Sequence, residues 1–195
     1  MRLSTDVLLR AVRAAVRVEN AYCDGGELYD SYVRINSLFS EFSIVLRTRR
    51  VRVGIIVQGE REDVDGTLDD AVELFPYHLN HVVRAVSPVL SGGTVSVSYR
   101  EDAFIVKSEE GIVSVFARPY TELYMKTAVP MRSPDIITNR VSDLQRGPAP
   151  EAVVMARKAV RGLRAETVRV WNLAREDVVE ATCKDGIRLI VREVH

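Results

Sequence analysis

The chain has 195 residues, 47% hydrophobic and 28% charged. That is enough apolar content for one substantial core, and it excludes a disordered composition. Lys and Arg total 27 and Asp and Glu total 27, so zero net charge excludes bulk-charge coating of nucleic acid or membrane. Any polyanion site is a local patch.

No apolar run approaches the roughly 18–20 residues that span a bilayer, so the expectation is a cytoplasmic protein with no membrane partner. The bases are nearly all arginine: the lysines are Lys107, Lys126, Lys158 and Lys184, and the glutamines are Gln58 and Gln145. Scarcity of thermolabile side chains suits a thermophile. Cys23 and Cys183 are too few for a disulfide framework or a Cys-based metal site and read as reduced, partly buried thiols.

The first helix is expected over 4–20. Leu8, Leu9, Val12, Ala15 and Val16 share an apolar face, and Asp6, Arg10, Arg13 and Arg17 share another. The first 20 residues therefore read as a structural helix, not a targeting peptide. Asp24-Gly25-Gly26 breaks it. From 27 to 58 the texture is β, with runs at 42–46 and 51–57 around Arg47-Thr48-Arg49-Arg50. An acidic loop over 60–66 leads to a second helical region, with Thr67 as N-cap and Asp69 and Asp70 in its first turn. Pro76 kinks it or starts another helix at Tyr77.

Val95, Val97 and Tyr99 then alternate with polar residues, and strands at 104–106 and 112–116 follow across short turns, which is an antiparallel meander. Pro130, Pro134, Pro148 and Pro150 mark 129–150 as a docked connector holding a short helix with Ile137, Val141 and Leu144 on one face. A helix over 151–165 and strands over 168–173, 178–183 and 187–194 close the chain. Lys184-Asp185-Gly186 fits a type I′ hairpin turn.

The expected fold is α+β, with antiparallel β-meanders packed by about three main helices in repeated helix-plus-meander units. Its parts are an N-terminal α+β region (1–128), the Pro-rich connector (129–150), and a C-terminal helix plus three-stranded meander (151–195). At its size the last part packs on the first as one unit.

Asp63-Val64-Asp65-Gly66-Thr67-Leu68 resembles the DxDGT(L) signature of haloacid-dehalogenase-like phosphatases. The resemblance covers six residues and implies Asp63 as nucleophile, Asp65 as general acid/base, and Mg²⁺ bound by the pair. In that family the motif ends a strand of a doubly wound parallel sheet. Here 59–62 follows the strand and antiparallel strands come next, so the string reads as a solvated loop feeding a capped helix. His78 and His81 lie three apart in a helical segment, which supplies two metal ligands where Zn²⁺ needs at least a third. No GxSxG elbow, P-loop or GxGxxG occurs. No catalytic residue, metal ligand or cofactor is expected.

The arginines carry more. Arg157, Lys158, Arg161 and Arg164 form a helical stripe with no acid between 152 and 165, and Arg47, Arg49, Arg50 and Arg52 form a second concentration. Guanidinium groups grip phosphate oxygens bidentately. Arg169 and Trp171 share one side of a strand, and Arg188 and Arg192 share one side of theirs. If their register brings these sides together, they resemble a stacking platform for single-stranded nucleic acid. The competing explanation is an ion-pair network with acids from elsewhere in the chain. The leading expectation is a non-enzymatic module that binds nucleic acid or another polyanion. The alternatives are a structural or assembly subunit binding a protein partner or a second copy of itself, and a metal-dependent phosphohydrolase at Asp63 and Asp65.

Overall fold

Period-two burial sets the strands. Val51, Val53, Ile55 and Val57 are sealed from solvent, as are Phe42, Ile44 and Leu46, and Ile187, Leu189 and Val191. These residues form one core with Leu8, Leu9, Val12 and Ala15, and burying each large side chain stabilises the fold by about 1.5–3 kcal/mol. The computed structural model describes residues 1–23, 30–36, 39–61, 69–86, 93–120, 151–161, 163, 165–172 and 176–194.

Three units follow one another. In the first, β1 (Arg2–Ser4) runs into α1 (Thr5–Cys23), followed by the antiparallel meander β2 (Asp30–Asn36), β3 (Glu41–Arg47) and β4 (Val51–Gln58). The second repeats the order with β5 (Asp69–Glu73), α2 (Pro76–Val86), β6 (Thr94–Arg100), β7 (Ala103–Lys107) and β8 (Ile112–Phe116). The third has α3 (Glu151–Val160), β9 (Thr167–Asn172), β10 (Glu176–Thr182) and β11 (Ile187–Val194). The fold is α+β with antiparallel sheets and helix-plus-meander units, as expected.

The units interlock. Leading strand β1 pairs with β6, and leading strand β5 pairs with β2, so each adds to the first meander strand of the other unit. The last strand β4 pairs antiparallel with the last strand β11. The sheet orders are therefore β1-β6-β7-β8 and β5-β2-β3-β4-β11-β10-β9. α2 packs on β7 and β8, α1 on β3 and β4, and α3 on β4, β10 and β11, with α1 touching both other helices. The helices thus form one layer, ordered α2-α1-α3, over the inner face of the sheets.

Three local expectations are corrected. The segment from Asp69, expected to be a helix capped by Thr67, is strand β5, because pairing with β2 and burial of Val72 override the local acidic signal. α2 starts at Pro76, where a missing N–H costs nothing. At Lys184-Asp185-Gly186 only Gly186 has positive φ (81°), so the turn is a three-residue loop with Gly in the left-handed position, not type I′. The two-residue turn with both central φ values positive is Glu101 (49°) and Asp102 (60°), with Asp102 accepting from the Tyr99 hydroxyl at 3.0 Å. α3 ends at Val160, short of 165. The acidic string 63–68, Asp24-Gly25-Gly26 and the connector 129–150 lie outside the described residues.

α2 lacks a cap of its own, and α1 supplies one. Glu19, 6% exposed, accepts the Tyr77 N–H on Oε2 at 2.9 Å. Burial pushes its carboxyl above the usual 4.5, against the Tyr77 hydrogen bond and the nearby His78, which lower it. A raised carboxyl pKa favours folding below the unfolded value, and that contribution is lost as pH rises through the folded one. Glu19→Gln keeps an acceptor without the charge. It should leave neutral-pH stability unchanged or higher and flatten the decline in stability from pH 4.5 upward, read by denaturant melts across pH. Glu19→Ala orphans the Tyr77 N–H and should cost about 1 kcal/mol.

Gly59 sits where β1 crosses the end of β4. A Cβ there would lie 2.7 Å from Leu3 Cδ2 and 2.8 Å from the Arg2 carbonyl oxygen. Glu60 and Arg2 exchange backbone hydrogen bonds at this crossing (2.8 and 2.9 Å). Gly59→Ala should therefore push β1 off β4 and lower stability by about 1–3 kcal/mol, seen as a drop in thermal midpoint.

Candidate nucleic-acid interface

Each helix shows solvent a stripe at three- and four-residue spacing. On α1 it comprises Asp6, Arg10, Arg13, Arg17 and Asn20; on α3, Val154, Arg157, Lys158 and, in the turn beyond, Arg161; on α2, Tyr77, His78, His81 and Arg84. Because α1 lies between the other two, these stripes run side by side on one face. That face gathers seven bases: Arg10, Arg13, Arg17, Arg84, Arg157, Lys158 and Arg161. The acids on the three helices are Asp6, the half-buried Glu151 and the buried Glu19.

Arg10 differs from its neighbours. It bridges Asp6 at 3.1 Å and also holds Asp185 in the β10–β11 turn, so it anchors that turn to α1. Cys183 lies beside this anchor, half-buried and free. Burial pushes its thiol up, while Arg10 pulls it down. An upward shift suits a packed thiol more than a nucleophile.

The opposite face of the seven-stranded sheet is also rich in arginine, and two of its arginines, Arg188 and Arg192, are paired with acids. Register places Arg47 opposite Arg52, and Arg52 opposite Arg192, in one row across β3, β4 and β11. Like charges in line need acids close by. Glu176 bridges Arg192 at 3.5 Å, and Glu41 bridges Arg188 at 3.5 Å. Register does bring Arg169, Trp171, Arg188 and Arg192 onto this same face. Trp171, however, is only 4% exposed and packs with Ile56, Val178 and Ile190, whereas Arg169 is exposed.

The arginines expected to act together are therefore divided. Arg157, Lys158 and Arg161 belong to the helical face, Arg47, Arg169 and Trp171 to the far sheet face, and Arg164 lies outside the described residues. Arg49 and Arg50 are exposed at the tip of the β3–β4 turn, which Thr48 shapes by accepting the Arg50 and Val51 N–H groups. This tip borders the start of α3, because Val194 N–H bonds the Arg50 carbonyl and the Glu193 carboxylate accepts Ala152 N–H at 2.8 Å. Sequence reasoning missed Arg13, Arg17 and Arg84 as site residues. Their helical spacing was legible, but what brings them onto one face is the adjacency of three helices far apart in the chain.

His78 and His81 are both exposed and make ring contacts with Tyr77 (centroids 5.9 and 4.5 Å). Among the described residues, no three of His, Cys, Asp and Glu gather as metal ligands, and no helix is long and apolar enough to cross a membrane.

No protein-family model and no curated protein matches the sequence. Solved structures do match its shape. The DNA polymerase III subunit beta sliding clamp from Bartonella birtlesii aligns with a TM-score of 0.60 at 10% identity, over 100% of this chain and 62% of that one. The fold is similar to that of the sliding clamps. The DNA polymerase III subunit beta of Pseudomonas aeruginosa gives 0.58 at 9% identity, over 100% and 64%. The proliferating cellular nuclear antigen of Entamoeba histolytica gives 0.55 at 8%, over 99% and 96%. At such identities the likeness is one of fold. The chain spans under two thirds of the length of the bacterial clamps it matches.

Proposed function

We propose that this chain is a non-enzymatic, DNA-associated subunit that lays its three-helix face along the nucleic-acid backbone. The observation that carries this is the sidedness of charge. Arg13, Arg17, Arg84, Arg157, Lys158 and Arg161 share one helical layer with few acids, in a chain whose net charge is zero. Such a layer offers spaced phosphate contacts with no motif that reads bases. Arg49 and Arg50 extend the charge at the border of α3, and exposed Tyr77 gives the α2 end an aromatic surface. The similar solved structures are named as DNA polymerase subunits and sliding clamps, which favours DNA over other polyanions. On this proposal Arg47, Arg169 and Trp171 serve the far sheet face.

Fluorescence anisotropy with duplex DNA, single-stranded DNA and RNA at several salt concentrations tests it. About five phosphate contacts would give a slope of log Kobs against log salt near −4.5. Arg157→Ala and Arg17→Ala should each reduce that slope by about one and weaken all sequences alike. Arg188→Ala, on the opposite face, should leave it unchanged. Absence of binding to all three nucleic acids at low salt would refute the proposal.

A further inference from the structure

Single apolar side chains on a surface are ordinary, but a contiguous group of exposed rings marks a contact surface. Phe75, just before α2, is 43% exposed, and Tyr77 is 55% exposed. His78 and His81 are exposed beside them. The four rings form one continuous cluster. Phe75 meets His78 edge to face with centroids 6.2 Å apart, and Tyr77 meets His78 at 5.9 Å and His81 at 4.5 Å.

The backbone beneath the rings is held from two sides. Pro76 opens α2, and Leu79 N–H bonds the Phe75 carbonyl at 3.0 Å. From α1, the buried Glu19 accepts the Tyr77 N–H at 2.9 Å. A platform fixed in this way loses little conformational entropy when a ligand settles on it.

The charge around the cluster selects the ligand. α2 carries no acid, and Arg84 continues the exposed stripe of His78 and His81. The cluster also belongs to the helical layer that holds Arg13, Arg17, Arg157, Lys158 and Arg161. A ligand that satisfies both features has flat aromatic faces and a polyanionic backbone, which describes a nucleic-acid strand. Inside a duplex those faces are covered by neighbouring base pairs. Only an unpaired base can lay its face on a side-chain ring.

We propose that Phe75, Tyr77, His78 and His81 form a stacking subsite for unpaired bases, so that the helical face prefers DNA with a single-stranded end over a closed duplex. The inference rests on the proposed contact of the helical layer with DNA and adds which DNA that layer favours. Tyr77, the ring at the centre of the cluster, carries the base, and the two imidazoles brace it from the side. Stacking releases no counterions, so its contribution does not vary with salt as that of the arginines does.

Fluorescence anisotropy with a closed DNA hairpin, and with the same hairpin bearing a short single-stranded overhang, tests the subsite. The overhang should tighten binding at least about fivefold, the worth of one stacked base. Tyr77→Leu keeps apolar bulk without a ring, and it retains the backbone N–H that Glu19 holds, so circular dichroism should show it folded. It should weaken binding to the overhang DNA at least about fivefold while leaving the closed hairpin's affinity and both salt slopes unchanged. Tyr77→Trp should keep the preference or increase it. The chain's one tryptophan, Trp171, is 4% exposed, so the indole that this variant adds at the surface reports on the subsite. Its emission should be quenched by the overhang DNA and not by the closed hairpin. Equal affinity for the two DNAs, or a Tyr77→Leu variant that weakens both alike or neither, would overturn the subsite while leaving backbone binding by the arginines standing. Absence of binding to either DNA at low salt would overturn both.

Discussion

Two short strands lie in each other's units, and the architecture depends on that exchange. β1 completes the sheet of β6, β7 and β8, while β5 extends the sheet of β2, β3 and β4. Each leading strand runs almost directly into its helix, so the exchange also brings α1 and α2 together. Gly59 permits the crossing of β1 over β4, and Glu19 ties the start of α2 to α1. A layer of neighbouring helices is the geometric result, and the shared charged face exists only because of it.

Charge is then sorted by layer rather than by sequence. On the sheet face, arginines stand in register with one another, and Glu176 and Glu41 hold Arg192 and Arg188 within 3.5 Å. These groups give up hydration and regain it from fixed partners, which suits structural ion pairs. The helix face holds most of its bases on exposed stems that stay in contact with solvent. A neutral chain can thus present an asymmetric field without any segment being conspicuously basic.

Much of the fold was legible because it is written in short-range pattern. The α1 stripe, the alternation of Val95, Val97 and Tyr99, and the apolar runs of β4 and β11 each predict their element from neighbours alone. β5 was not legible: Asp69-Asp70-Ala71-Val72-Glu73 has weak strand propensity, and its pairing with β2, more than 30 positions upstream, decides it. The Glu101-Asp102 turn was legible as a short connection but not in its type, because neither residue is glycine, although Asp tolerates the left-handed region and bonds the Tyr99 hydroxyl there. For the interface, the α3 stripe was visible, whereas Arg13, Arg17 and Arg84 needed topology. Trp171 shows the reverse limit. Its face was read correctly, but burial by Ile56 and Ile190 depends on strands from two other parts of the chain.

The β4–β11 seam carries a temporal consequence. It joins residues 51–58 to residues 187–194, so its loop-closure entropy is among the largest in the molecule. During synthesis β4, with Val51, Val53, Ile55 and Val57 on one face, must wait for about 130 further residues before its partner emerges. For that interval the nascent chain exposes a long apolar ribbon with one unpaired side. A sheet sewn together from its two ends thus places its most demanding closure last, after the local meanders have formed.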